Sequence, residues 1–286
     1  MKRQSYSLKR KGNDGFGRAK KRFGQHFLND DQTAEKIVSS LKAETDFVVE
    51  IGPGRGILTK FLLEKFKERF HTIEIDRDLL LHLSISFPEL KSRLHHEDFL
   101  KTDLPKLFPG TIAIIGNFPY NISSQIIFRV LEHREQVKEV VGMFQKEVAR
   151  RIVANPGTKD YGIISALLPC WYDREYLFEL SPADFNPPPK VYSAVVRLLR
   201  NQATSLGCDE ALFKTVVKTA FNQRRKMLRN SLSGLMSGEM MKDKIFEKRP
   251  EQLSFEQFAG ITRAFEKVSK KLGNDYSLGQ GGSKKK

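Results

Sequence analysis

Cysteine is scarce in this 286-residue chain: there are two, Cys170 and Cys208, and neither belongs to a CxxC pair or a Cys/His cluster. That pattern argues against a disulfide framework and against a zinc site, and it fits a reducing compartment, the cytoplasm. No metal is expected. Long apolar runs are missing too, since none approaches the roughly 20 residues needed to cross a bilayer, and the first 22 residues are polar and basic. No membrane partner and no secretory leader are expected. The third shortage is acid, with 34 Asp and Glu against 49 Lys and Arg, a net charge of +15. The excess is concentrated in two places. Residues 1–22 hold nine Lys/Arg against Asp14 alone, and residues 211–238 hold Lys214, Lys218, Arg224, Arg225, Lys226 and Arg229 with no acid. A charge run is usually a solvated face, but Arg224-Arg225-Lys226 followed by Arg229 is spaced to gather cations on one helical surface, which suits phosphate contacts along RNA.

What is present begins with Asn117-Phe118-Pro119-Tyr120, which follows the apolar run Thr111–Gly116. An amide, a proline and an aromatic ring thus emerge together from the end of a buried strand. The amino group of an adenine has its lone pair delocalised into the ring, so a site that alkylates it must accept its N–H bonds and hold the base by its face. Asn117 offers an acceptor oxygen, Pro119 fixes a turn that aims a backbone carbonyl, and Tyr120 offers a stacking face. An ordinary strand-to-loop turn accounts for the tetrapeptide equally well.

A second motif lies upstream. Phe47–Ile51 reads as a buried strand and runs into Gly52-Pro53-Gly54-Arg55-Gly56 before the helical pattern Ile57, Leu58, Phe61, Leu62. Glu74, at the end of a second strand 22 residues after Gly52, is placed to accept both hydroxyls of a ribose. Arg55 follows the second glycine, and such a bulky side chain does not suit a pyrophosphate cradle, so S-adenosylmethionine fits better than a dinucleotide. Asp98 follows a third strand and is either an acceptor for the cofactor's adenine amine or a turn aspartate. Gly52, Glu74, Asp98 and Asn117 then form a series at successive strand ends, where ligands of open α/β sheets lie.

Punctuation divides the chain into a disordered basic arm (1–21), an α/β unit (22–200), a small α-helical unit (201–274) and a Gly/Ser/Lys-rich tail (275–286). Strands are expected near 47–51, 71–75, 93–95, 111–116, 139–145, 175–180 and 193–199, the last in a hairpin with its predecessor. A helix is expected near 31–41, and others beyond the linker around 209–220, 223–236, 240–247 and 255–272. Phe185 precedes Pro187-Pro188-Pro189, which stiffen the chain and would mount its ring rigidly; a ring plugging the core is the simpler reading of the loop alone.

Together these stretches resemble the KsgA/RsmA family of small-subunit ribosomal RNA adenine N6,N6-dimethyltransferases. The likeness rests on Arg22–Asp30, Glu50–Gly56, Glu74–Leu79, Asn117–Ser123, Phe144–Ala149, Phe185–Val196 and Phe221–Lys226, spanning 22 to about 235. One departure is visible, because the family usually has Leu where Phe118 stands; Phe118 is expected to point into the sheet. The resemblance implies a Rossmann-like class I methyltransferase sheet with a small C-terminal helical domain. It implies that His26 and Leu28 close over S-adenosylmethionine, held also by Gly52, Glu74, Asp98 and Asn117. It implies that a flipped adenine is clamped between Tyr120 and Phe185, its amine held by Asn117 and the carbonyl of Phe118, with Pro119 shaping the turn. Arg224, Arg225, Lys226 and Arg229 are then RNA contacts. The implied substrate is a pair of adjacent adenines in the hairpin loop near the 3′ end of small-subunit RNA, read by a monomer in a pre-assembled 30S particle. Methyltransferases of large-subunit RNA share Asn117–Tyr120 and Gln25–Leu28 but not the Pro187–Ser193 and Phe221–Lys226 patterns; a chiefly assembly-related role is the other alternative.

Overall fold

A computed structural model describes residues 25–236 and 238–271; the expected basic arm and the tail from 275 lie outside these residues, as do Arg22–Gly24. Among the described residues nine strands are formed: β1 (Phe27–Leu28), β2 (Phe47–Ile51), β3 (Phe70–Glu74), β4 (Leu94–His96), β5 (Ile112–Asn117), β6 (Val137–Gln145), β7 (Tyr172–Leu180), β8 (Phe185–Asn186) and β9 (Ser193–Arg200). The α-helices are α1 (Asp31–Ser39), α2 (Thr59–Phe66), α3 (Arg77–Ser86), α4 (Leu104–Leu107), α5 (Ser123–Glu132), α6 (Lys146–Val153), α7 (Ile163–Leu167), α8 (Glu210–Asn222), α9 (Leu228–Ser231) and α10 (Phe255–Lys271).

Seven strands make one sheet in the order β4-β3-β2-β5-β6-β9-β7. Neighbours from β4 to β6 run parallel, and β9 is antiparallel to both β6 and β7. The Rossmann-like class I arrangement and the terminal hairpin are therefore as expected, with β9 inserted between β6 and β7. Parallel strands alternate their side chains between two covered faces. Val49, Ile51, Ile112 and Ile114 point to the core shared with α5, α6 and α7, while Val48, Ala113, Ile115 and Met143 meet α1 and α2 on the other side. Helix starts agree with the chemistry of their caps: Asp30, Asp76 and Asp209 each accept from a backbone N–H of the first turn of α1, α3 and α8.

The C-terminal helices extend the first of these cores. Phe213, Val217 and Phe221 of α8 and Phe258 and Phe265 of α10 belong to the same buried cluster as the sheet residues. Their attachment is reinforced at Trp171, whose ring lies under the guanidinium groups of Arg134 (4.2 Å) and Arg200 (5.3 Å), while Arg134 reaches Glu210 of α8 at 2.7 Å. Two expected helices need correction. The 223–236 segment is helical only over α9, and 240–247 forms two short 3₁₀ turns, Glu239–Lys242 and Lys244–Glu247. Gly234 lies inside the first of these segments and Gly238, at φ 83°, just before the second, and glycine weakens a helix. The expectations also missed the two-residue ladder of β1 with β8, where Leu28 faces Phe185; two residues carry no periodicity to read.

Candidate active site

A cavity of about 220 Å³ opens at the carboxyl ends of β2, β3 and β5. On one side the chain leaves β2 through Gly52 (φ 65°) and Gly54 (φ 59°), and the turn is tied to β3 by the Gly52 N–H donating to the Ile73 carbonyl at 3.0 Å. A Cβ on Gly54 would stand 3.0 Å from the Phe27 ring, so the positive φ and the space both require glycine. Arg55 leaves the turn and lies over Phe27, 4.7 Å from the ring centre. Glu74 ends β3 and is 4% exposed, with the Asp76 N–H donating to its Oε1 at 2.8 Å. Burial raises its carboxyl to about 7 despite that bond. Behind it Glu50, 1% exposed, accepts from the Thr59 hydroxyl at 2.6 Å and is pushed up to about 8, chiefly by burial. Glu50 was not singled out from sequence, although an acid inside the apolar run Phe47–Ile51 was the available signal. Asp98 lines the cavity, and its Oδ1 accepts from the Leu100 N–H at 3.0 Å, as the turn reading expects.

The opposite wall is made by the end of β5 and the segment around β1. The Asn117 Nδ2 donates to the backbone carbonyl of His26 at 2.7 Å, which leaves its Oδ1 as the accepting atom. Phe118 turns away, as expected; its ring is 1% exposed against Phe144 and fills a slot that a side chain on Gly116 or Gly142 would close, the latter at 2.3 Å. The Leu-to-Phe departure is thus absorbed beneath the pocket floor. Tyr120 is pinned at its hydroxyl by Ser193 Oγ, 2.5 Å away, and burial holds the phenol above its usual value, so it stays neutral. The His26 ring stacks on Tyr120 with centroids 5.4 Å apart, and its Nδ1 lies 2.8 Å from the Pro187 carbonyl, to which it donates.

A family model described as ribosomal RNA adenine dimethylase matches residues 17–267. The chain belongs to this family. It is 54% identical over 260 residues to the ribosomal RNA small subunit methyltransferase A of Parabacteroides distasonis, covering 90% of this chain and 97% of that one. With the protein of the same name from Flavobacterium johnsoniae it shares 52% over 252 residues, 87% and 96% of the two chains. Among solved structures, a dimethyladenosine transferase from Plasmodium falciparum superposes with a TM-score of 0.70 at 26% identity, over 85% of this chain and 98% of that one. The 23S rRNA methyltransferase ErmE shares the fold, with a TM-score of 0.61 at 24% identity over 83% and 99%.

The enzyme is an S-adenosylmethionine-dependent methyltransferase, and its cavity suits that cofactor. Glu74 is a buried acid, the Gly52–Gly54 backbone leaves room for a close approach, and Asp98 lines the same cavity. His26, Leu28, Gly52, Glu74, Asp98, Asn117, Pro119 and Tyr120 all line the one cavity.

Two groups expected at the site are elsewhere. Phe185 does not line the cavity: it is 3% exposed, held in the β1–β8 ladder and packed in the core with Leu28, so the simpler reading of its loop describes this structure and His26 occupies the face of Tyr120. The basic group does not share a helical face. Arg224 follows the end of α8 and donates to the carbonyls of Lys159 (2.7 Å) and Thr158 (3.3 Å), Arg229 pairs with Glu247 at 3.1 Å, and Arg225 and Lys226 are not held in this way. Helix α8 stops at Asn222, and the turn that follows separates the cations that helical spacing would have aligned.

Proposed function

We propose that this enzyme places two methyl groups on N6 of each of two adjacent adenines in the hairpin loop near the 3′ end of small-subunit ribosomal RNA, working as a monomer in the cytoplasm on a pre-assembled particle. The observation that carries the site assignment is the Asn117 amide, whose donor is committed to the His26 carbonyl in the wall that also holds Glu74 and Tyr120. S-adenosylmethionine supplies a methyl group on a sulfonium centre, an electrophile that needs no acid. Asn117 Oδ1 and the Phe118 carbonyl accept the two N–H bonds of the target amine, which draws its lone pair out of conjugation with the ring and aims it. Tyr120 holds the base by its face, and Glu74, Gly52, Asp98, His26 and Leu28 bind the cofactor. No general base is required, because an alkylated ring amine is strongly acidic and loses its proton to water; positioning carries the rate. His26 donates to Pro187 and serves as a wall.

The C-terminal unit, 201–274, is assigned to RNA docking, with Arg225 and Lys226 as the phosphate contacts and Arg224 and Arg229 bracing the surface that carries them. The names of relatives that share half their residues with the chain favour the small subunit over the large one. Tritiated methyl transfer to undermethylated small subunits, large subunits and duplex DNA in parallel tests the reading. Incorporation only into small subunits, as dimethyladenosine, is expected; equal labelling of large subunits would overturn it.

A further inference from the structure

The loop that joins β8 to β9 has no role in the chemistry just described, yet it is fastened to the target wall at each end. The Pro187 carbonyl accepts from His26 at one end, and at the other Ser193 Oγ bonds the Tyr120 hydroxyl at 2.5 Å. Between these points Val191 is 41% exposed and Tyr192 52% exposed, two large side chains left in water next to the residue that holds Tyr120. The backbone of Tyr192 is itself fixed, since the Lys146 N–H donates to its carbonyl at 2.9 Å, and the Lys146 ammonium, paired with Glu179 at 2.6 Å, lies 5.4 Å from its ring centre. Lys190 is exposed two residues before it, and the segment Phe185–Ser193 contains no acid.

We propose that Tyr192, flanked by Lys190 and Lys146, is a stacking platform for a nucleotide next to the target adenine. The inference rests on the reading that the adenine enters at Asn117 and Tyr120. An extruded base brings its strand with it, and that strand must cross the rim of the cavity. The residue next to Ser193, whose hydroxyl holds Tyr120, is an exposed aromatic ring on a stiffened mount, with the exposed Lys190 two residues away. Those are the parts that hold single-stranded nucleic acid: a face for a base and positive charge for its phosphates. Little ordering is needed on binding, because the prolines and the Lys146 bond already fix the backbone.

The test compares Tyr192→Ala, Tyr192→Phe and Lys190→Ala on undermethylated small subunits. Tyr192→Ala is expected to raise KM for the subunit about tenfold, the loss of one base–aromatic stack. Its kcat and its affinity for S-adenosylmethionine should be unchanged, and Tyr192→Phe should restore KM. Lys190→Ala should lower the log–log salt slope of subunit binding by about one. Ultraviolet crosslinking of the complex should leave Tyr192 in an RNA-linked peptide. An unchanged KM for Tyr192→Ala, or a crosslink from Tyr192 to a ribosomal protein, overturns the proposal. Asn117→Ala measured alongside separates the two ideas: normal turnover in that variant removes the adenine site, whereas lost turnover with a silent Tyr192→Ala removes only the platform.

Discussion

One wall of the cavity is built by the ends of the parallel strands β2 and β3, whereas the opposite wall is built by the end of β5 and the segment around β1, and the exposed cations lie apart on the turn after α8. Glu74 sits on a backbone held in register with β2 and β4, and its carboxylate is 4% exposed. Across the cavity Tyr120 and His26 are placed by single side-chain bonds to Ser193 and Pro187, and Arg225 and Lys226 project from a turn. Buried groups on a rigid sheet act through fixed electrostatics; exposed groups on loops act through contacts that complete themselves on the substrate. Asn117 combines the two, because it ends β5 yet is oriented by the His26 carbonyl.

The largest effect should therefore come from Asn117. Replacing it by Ala removes the preorganised acceptor, and turnover should fall about a hundredfold or more. Cofactor affinity, measured by calorimetry, should change little, since Glu74 and the glycine turn are untouched. Turnover near that of the unsubstituted enzyme would mean that the amine is held by other groups and that the two sides do not meet at this residue.

Glu74→Ala comes next and sharpens the contrast from the other side. Losing hydrogen bonds to a charged group should weaken S-adenosylmethionine binding by about 1.5–3 kcal/mol. The carboxylate also predicts a pH dependence. Ribose hydroxyls donate to the ionised form, and burial raises the group to about 7, so cofactor affinity should rise between about pH 6 and pH 8. Titration calorimetry across that range should give a shallower profile for Glu74→Ala; the same profile in both proteins would detach the carboxylate from the ribose.

The same contrast explains what could be read from residues alone. Gly52, Glu74, Asp98 and Asn117 were legible because parallel strands announce themselves as β-branched runs and place their last residues at one edge. Glu50 was passed over because an acid within a strand can point to either face, and only packing shows that it lies 2.6 Å from the Thr59 hydroxyl beneath the cavity. Phe185 was misplaced because three prolines define a stiff segment without defining where it docks; the partner strand that buries it is β1, too short to carry a pattern. Arg224–Arg229 do not share a face because, of the helix expected over 223–236, only Leu228–Ser231 forms.

A smaller effect should follow from reversing the cations of the turn. Arg225→Glu with Lys226→Glu should weaken binding to small subunits and lower the log–log salt slope by about two, one for each phosphate that the variant no longer neutralises. Arg224→Glu should instead lower thermal stability as well, because its side chain braces the Thr158 and Lys159 carbonyls. An unaltered slope in the double variant would assign docking to other basic residues.

The last effect leaves turnover untouched and concerns stability alone, which isolates the sheet side from catalysis. Burial raises the Glu50 carboxyl from 4.5 to about 8, so the folded chain holds that proton more tightly than the unfolded one. The contribution is fully present below about pH 4.5 and is lost as pH rises through about 8. Glu50→Gln cannot ionise, while its amide oxygen still accepts from the Thr59 hydroxyl. At pH 4 the two proteins should therefore melt together; at pH 9 the Gln variant should melt higher by ~10 °C, because each unit of the rise is worth about 1.4 kcal/mol and about 1 kcal/mol moves Tm by roughly 2–4 °C in a chain of this size. If the difference is absent at pH 9, or equal at both pH values, the carboxyl is not the strained buried acid that the strand end makes it, and the sheet side owes its electrostatics to Glu74 alone.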